Sequence, residues 1–91
     1  MNVPVRIFYP ELQRLLNNRI QITVAGSTVG ECLDDLEKQF PGVKKLIFDE
    51  SGKFLRQVFV YVNSESAHKA SLTDPVTDRD ELLIAVLITG G

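Results

Sequence analysis

STVGECLDDLEKQFPG, residues 27 to 42, spells out an amphipathic helix together with both of its ends. Thr28 followed by Glu31 three residues later makes a capping box, in which each side chain satisfies a backbone donor that the first helical turn leaves free. Val29, Cys32, Leu33, Leu36 and Phe40 recur at helical spacing, while Asp34, Asp35, Glu37 and Lys38 take the other face. Pro41-Gly42 stops the helix. A single apolar stripe of this kind covers one side of a sheet, so the flanking segments are expected to supply strands.

Upstream, VPVRIF (Val3 to Phe8) alternates Val3, Val5 and Ile7 with Pro4, Arg6 and Phe8, the period of a strand with one buried face. NNRIQITVAG then supplies an Asn17-Asn18 turn and a second alternating run, Ile20, Ile22 and Val24, which predicts a hairpin. The connection YPELQRLLNN is longer than a tight turn, and Leu12, Leu15 and Leu16 are expected to fold back onto the core.

Downstream, VKKLIFDESGKFL reads as a short helical turn at Val43 to Ile47 and an ESG turn. QVFVYVNSES alternates Val58, Val60 and Val62 with Phe59 and Tyr61 and ends at the turn signal Asn63-Ser64. A short edge strand is expected near Ala67 to Ala70. SLTDPVTDRDE is loop and turn, and LLIAVLI (Leu82 to Ile88) is apolar throughout, as in a central strand buried on both faces or one whose second face is kept for a partner.

Strand, strand, helix, strand and last strand, with the first and last the most apolar, place those two side by side and parallel at the centre of a mixed sheet. The predicted class is α+β with a β-grasp (ubiquitin-like) arrangement: four to five strands and one main covering helix, spanning residues 1 to 91 as a single domain with a flexible tail at 89 to 91.

The 91 residues suit one core, and 44% apolar with 24% charged residues is ordinary globular composition. Ten Lys and Arg against twelve Asp and Glu give a formal net charge of −2, which argues against nucleic acid as a partner. No apolar run approaches ~18 residues and no basic leader precedes one, so the expectation is a cytoplasmic chain without membrane contact.

Three stretches resemble the ThiS/MoaD family of ubiquitin-like sulfur carriers: VYVN (Val60 to Asn63), PVTDRDEL (Pro75 to Leu82), and Gly90-Gly91 at the end of the last apolar run. Taken with GSTVGECLDDLEKQFPG, they are most similar within that family to the carriers that supply sulfur for cysteine synthesis in mycobacteria. Arg79 stands where the family's turn has Gly; a left-handed Arg would cost roughly 1 kcal/mol, so the turn is expected to take another form. Ala85 to Thr89 also departs from the family's usual Phe or Pro before a Val-Ala-Gly-Gly ending.

The interior offers little chemistry. His68 is the one histidine and reads as a surface residue, Cys32 as a small core residue, and Asp78 and Asp80 as side chains that bond a turn backbone. No Cys/His cluster has metal spacing. The reactive group left is the carboxylate of Gly91. Without Cβ atoms, Gly90 and Gly91 fit a tunnel of backbone width and adopt the φ it requires, and β-branched Thr89 marks where the tip begins.

The resemblance implies that an E1-like adenylating enzyme, using ATP and Mg, converts this carboxylate to an acyl-adenylate. A persulfide or other sulfide source then leaves a thiocarboxylate that donates sulfur in biosynthesis. The chain would be no enzyme and bind no cofactor itself. Its acceptor would be a cysteine synthase-like enzyme, a thiazole synthase or the molybdopterin synthase large subunit, with a metal-dependent protease to release the product in the first case.

Phe8, Leu83, Ala85 and Leu87, joined by Phe59 and Tyr61, share the parity opposite the core set and are expected to contact partners, together with Ile88 and Thr89 beside the tip. Coverage of that face by the Leu12 to Leu16 segment is the competing reading. The free chain is expected to be a monomer. The alternatives are a molybdopterin synthase small subunit, with the same tail chemistry, and a ubiquitin-like modifier or plain interaction domain.

Overall fold

Val3, Val5 and Ile7 are fully buried while their neighbours turn outward, and the strand they define, β1, runs Asn2–Phe8. The computed structural model describes residues 2–63 and 69–87. Pro10 opens a short helix, α1 (Pro10–Leu15), where its missing N–H costs nothing. Asn17 and Asn18 both sit at left-handed φ, 60° and 64°, a conformation Asn tolerates better than most residues, and they turn the chain into β2 (Gln21–Ala25). Four further elements follow: α2 (Val29–Gln39), α3 (Val43–Ile47), β3 (Val58–Val62) and β4 (Leu82–Val86).

The sheet order is β2-β1-β4-β3, with β1 parallel to β4 and the other two pairs antiparallel. The register aligns Val5 with Leu82 and Ile7 with Ile84, so one face of the central pair is continuous apolar surface. Against it α2 sets Val29, Cys32, Leu33 and Leu36, all buried. Each fully buried Val, Leu or Ile contributes about 1.5–3 kcal/mol. Leu12 and Leu16 of the α1 segment join this core with no exposed surface. α3 is the short helical turn expected at Val43 to Ile47, and α1 is a further short helix in the segment expected only to fold back onto the core.

Hydrogen bonds fix α2 against the sheet edge. Thr28 Oγ1 accepts from Glu31 N–H (3.2 Å), as a capping box requires, but Glu31 Oε1 reaches Ser27 N–H (3.0 Å) and Ser27 Oγ (2.9 Å), one residue earlier than expected. The amides of Val29 and Gly30 donate instead to Asp74 and Leu72 carbonyls across the loop before β4. Asp35 accepts from Ala25 N–H and Gln39 Nε2 donates to Thr23 O, so α2 occupies outward backbone groups of edge strand β2. Glu37 accepts from Gly42 and Lys44 amides, tying α3 to α2; Gly42 has φ 107°, where a side chain would be strained.

Several expectations need correction. Ile20 lies outside the second strand and is 68% exposed: its carbonyl still accepts from Ile7 N–H, but Leu12 and Leu16 close that end of the core. Of the segment expected as an edge strand, Ala67 lies outside the described residues. Ala70 makes one rung, its N–H to Val60 O at 2.7 Å, and the described sheet has four strands. The last strand ends at Val86 instead of Ile88. Leu87 keeps one bond, N–H to Gln57 O at 2.8 Å, and Ile88 lies outside the described residues.

Candidate functional site

Period-2 alternation on three strands assembles the face opposite α2. Register sets Phe8 beside Ala85 and Ala85 beside Phe59, and one row earlier Arg6 beside Leu83 and Leu83 beside Tyr61. Phe8 is 50% and Leu87 58% exposed, while Leu83, Ala85, Phe59 and Tyr61 are half-buried. The Leu12 to Leu16 segment leaves this face open, because its leucines enter the core on the helical side. All six described residues expected to contact partners therefore share one surface.

Two cations, which parity and periodicity did not bring forward, lie on the aromatic rings. The Arg6 guanidinium carbon is 5.4 Å from the Phe8 ring centre and Lys69 Nζ is 4.2 Å from that of Phe59. Such contacts add about 0.5–1 kcal/mol at exposed sites. Arg6 shares the parity of Phe8, a signal present in the sequence; Lys69 comes from a loop and had none. Glu81 Oε1 stands 4.0 Å from Arg6 Nη1.

The stem leading to the tail is set by a polar clasp. Asn63, at left-handed φ 68°, donates through Nδ2 to Asp80 Oδ1 (3.0 Å) and accepts at Oδ1 from Glu81 N–H (2.9 Å). Bonds from Asn63 and from the Thr77 amide hold the Asp80 carboxyl below the usual carboxylate range. Asp80 thus bonds the turn, as expected, and Arg79 does not take a positive φ, so it carries no left-handed strain. Gly90, Gly91, Thr89, Ile88 and His68 fall outside the described residues. Cys32 is buried in the core, where desolvation raises its thiol pKa.

A concavity of about 890 Å³ opens on the helical side over Leu33, Phe48, Leu55 and Leu72. Its rim mixes Lys44 and Lys45 with Asp34, Asp49 and Glu50, and Lys44 is paired with Asp34. No feature of the sequence marked it.

A model of the ThiS family matches residues 7–91, from the end of β1 through the double glycine. The chain belongs to the ThiS family. Among curated relatives, the sulfur carrier protein CysO of Mycobacterium tuberculosis is 32% identical over 95 residues, covering all of both chains. A chain of the Amycolatopsis orientalis BexX/CysO complex superposes with a TM-score of 0.81 at 31% identity over 98% of this chain and 99% of that one. SAMP1 of Haloferax volcanii superposes at 0.83 over the full length of both; at 23% identity this speaks for the fold alone. The β-grasp arrangement, with first and last strands parallel in this chain, matches that of the CysO structures. No helix among the described residues is long and apolar enough to cross a membrane.

Proposed function

We propose that this ThiS-family chain is a sulfur carrier for biosynthesis, with cysteine formation as the leading pathway. One observation carries the reading: end-to-end similarity to sulfur carriers of the CysO type, in a chain whose sequence carries Gly90-Gly91.

The chemistry starts at the Gly91 carboxylate. An E1-like adenylating partner supplies Mg-ATP, the carboxylate oxygen attacks the α-phosphate, and pyrophosphate leaves. A sulfide donor then displaces AMP, forming the C–S bond of a thiocarboxylate. Thioacids are stronger acids than thiols, so at neutral pH the group is an anionic sulfur nucleophile that an acceptor enzyme can direct at an activated substrate. Catalytic groups belong to the partners. The carrier contributes a terminus slim enough for a narrow site and an apolar face to dock it, so that positioning supplies the rate.

Phe8, Phe59, Tyr61, Leu83, Ala85 and Leu87 form the docking face in this reading, with Ile88 and Thr89 entering the partner's channel. The Amycolatopsis orientalis CysO in its complex with BexX supports the expectation that a carrier of this type binds a partner protein. The test is to append one residue after Gly91, or to delete Gly91, and measure ATP–pyrophosphate exchange with the adenylating enzyme. Exchange should be lost with Tm unchanged; an extended chain that is still adenylated rejects Gly91 as the reacting group.

A further inference from the structure

We infer that Arg6 and Lys69 are specificity-determining contacts, and that the adenylating partner meets the open face with an apolar centre flanked by carboxylates. This rests on the carrier reading above and goes beyond it in assigning the partner's charge pattern.

The row Phe8–Ala85–Phe59 is the apolar centre of the face, and a cation lies at each end of it: Arg6 over Phe8 at 5.4 Å, Lys69 over Phe59 at 4.2 Å. A partner cannot cover the two rings without also covering the cations stacked on them. Desolvating a cation with no counter-charge is strongly unfavourable, whereas a carboxylate placed at the ring edge converts that penalty into an attraction. Arg6 has part of this from Glu81, at 4.0 Å, with 47% of its own side chain still exposed.

The chain as a whole is acidic, with a formal net charge of −2, so cations at both ends of the apolar row are not overflow from a basic protein. A partner with a basic or bare apolar surface would be rejected by the same two residues, which is how a charge pattern discriminates between adenylating enzymes of similar fold.

The experiment is ATP–pyrophosphate exchange with the E1-like adenylating enzyme of the same genome, with carrier concentration varied. R6Q/K69Q should raise KM for the carrier roughly tenfold with kcat kept, and should flatten the dependence of KM on salt. R6K/K69R, which keeps both charges, should bring KM back to within about threefold; R6Q/K69Q, which loses the two ring contacts, should melt several degrees lower yet stay folded at the assay temperature. An unchanged KM, or a KM equally poor in R6K/K69R, overturns the inference and leaves the carrier reading standing. No exchange with the unsubstituted chain overturns both.

Discussion

Phe8 and Phe59 stand on different strands, on either side of Ala85, and the small side chain between them leaves the two rings as ridges on one open face. If that face docks the adenylating partner, a bulky charge at its centre should prevent docking without unfolding the sheet, because Ala85 is only half-buried. Ala85→Lys is expected to lower kcat/KM for adenylation roughly a hundredfold, the scale of a central hot spot, with Tm shifted by no more than a few degrees. Full activity in this variant would remove the open face from the docking reading.

Asn63 holds β3 to the start of β4 through two side-chain bonds made from a left-handed backbone. Asn63→Ala loses both bonds and keeps the unfavourable φ, so a loss of about 2 kcal/mol of folding stability is expected in urea denaturation. Asn63→Gly relieves the backbone term and should be the milder substitution. Equal stability in all three would show that the clasp contributes nothing.

Glu31, Asp35, Glu37, Asp49 and Asp80 all have carboxyl pKa values below the usual carboxylate range, in each case first because hydrogen bonds favour the ionised form. A depressed folded-state pKa means that the unfolded chain takes up protons more readily. The stabilisation is therefore complete above the unfolded value near pH ~4 and is lost as pH falls through the folded values. Thermal stability should be flat from about pH 7 to 5 and decline below about 4. Glu37→Gln cannot ionise, and its one amide oxygen can accept from only one of the Gly42 and Lys44 amides, so it should be less stable at neutral pH and show a shallower acid decline. An identical slope would contradict the assignment.

Cys32 is sealed in the core, and the chain opposite it is so close that a Cβ on Gly26 would fall 2.7 Å from the Cys32 amide nitrogen. Its thiol should react with a disulfide reagent at least ~100-fold more slowly in the folded protein than in denaturant. Gly26→Ala should be destabilising and accelerate that reaction. Rapid labelling of the unsubstituted folded chain would contradict this placement, and slow labelling leaves sulfur reagents free to report on the tail.

The strand and helix pattern was legible because period 2 in Val3–Ile7 and Val58–Val62, and helical spacing from Val29 to Phe40, each leave one apolar face and no competing period. Misreadings fell at the ends. Ile20 continues the alternation of Ile22 and Val24, but periodicity does not say where a core stops, and α1 had already closed it. Glu31 satisfies Ser27 instead of Thr28 because a flexible side chain can select either of two adjacent amides. Of the candidate site, the parity of Phe8, Leu83, Ala85 and Leu87 was readable once β1 and β4 were taken as neighbours. The placement of Lys69 over Phe59 and the groove between α2 and α3 depend on how loops cross the sheet and helices, which local pattern does not encode.

In the carrier reading Gly91 carries the sulfur. Incubation of the chain with its adenylating enzyme, Mg-ATP and a sulfide source, followed by an intact mass and the mass of the C-terminal peptide, tests it directly. The expected result is a gain equal to one sulfur less one oxygen, located on Gly91 and absent when ATP is omitted. An unchanged mass with an enzyme that demonstrably forms the acyl-adenylate, or an amide bond from Gly91 to lysines of other proteins in place of the sulfur, contradicts it.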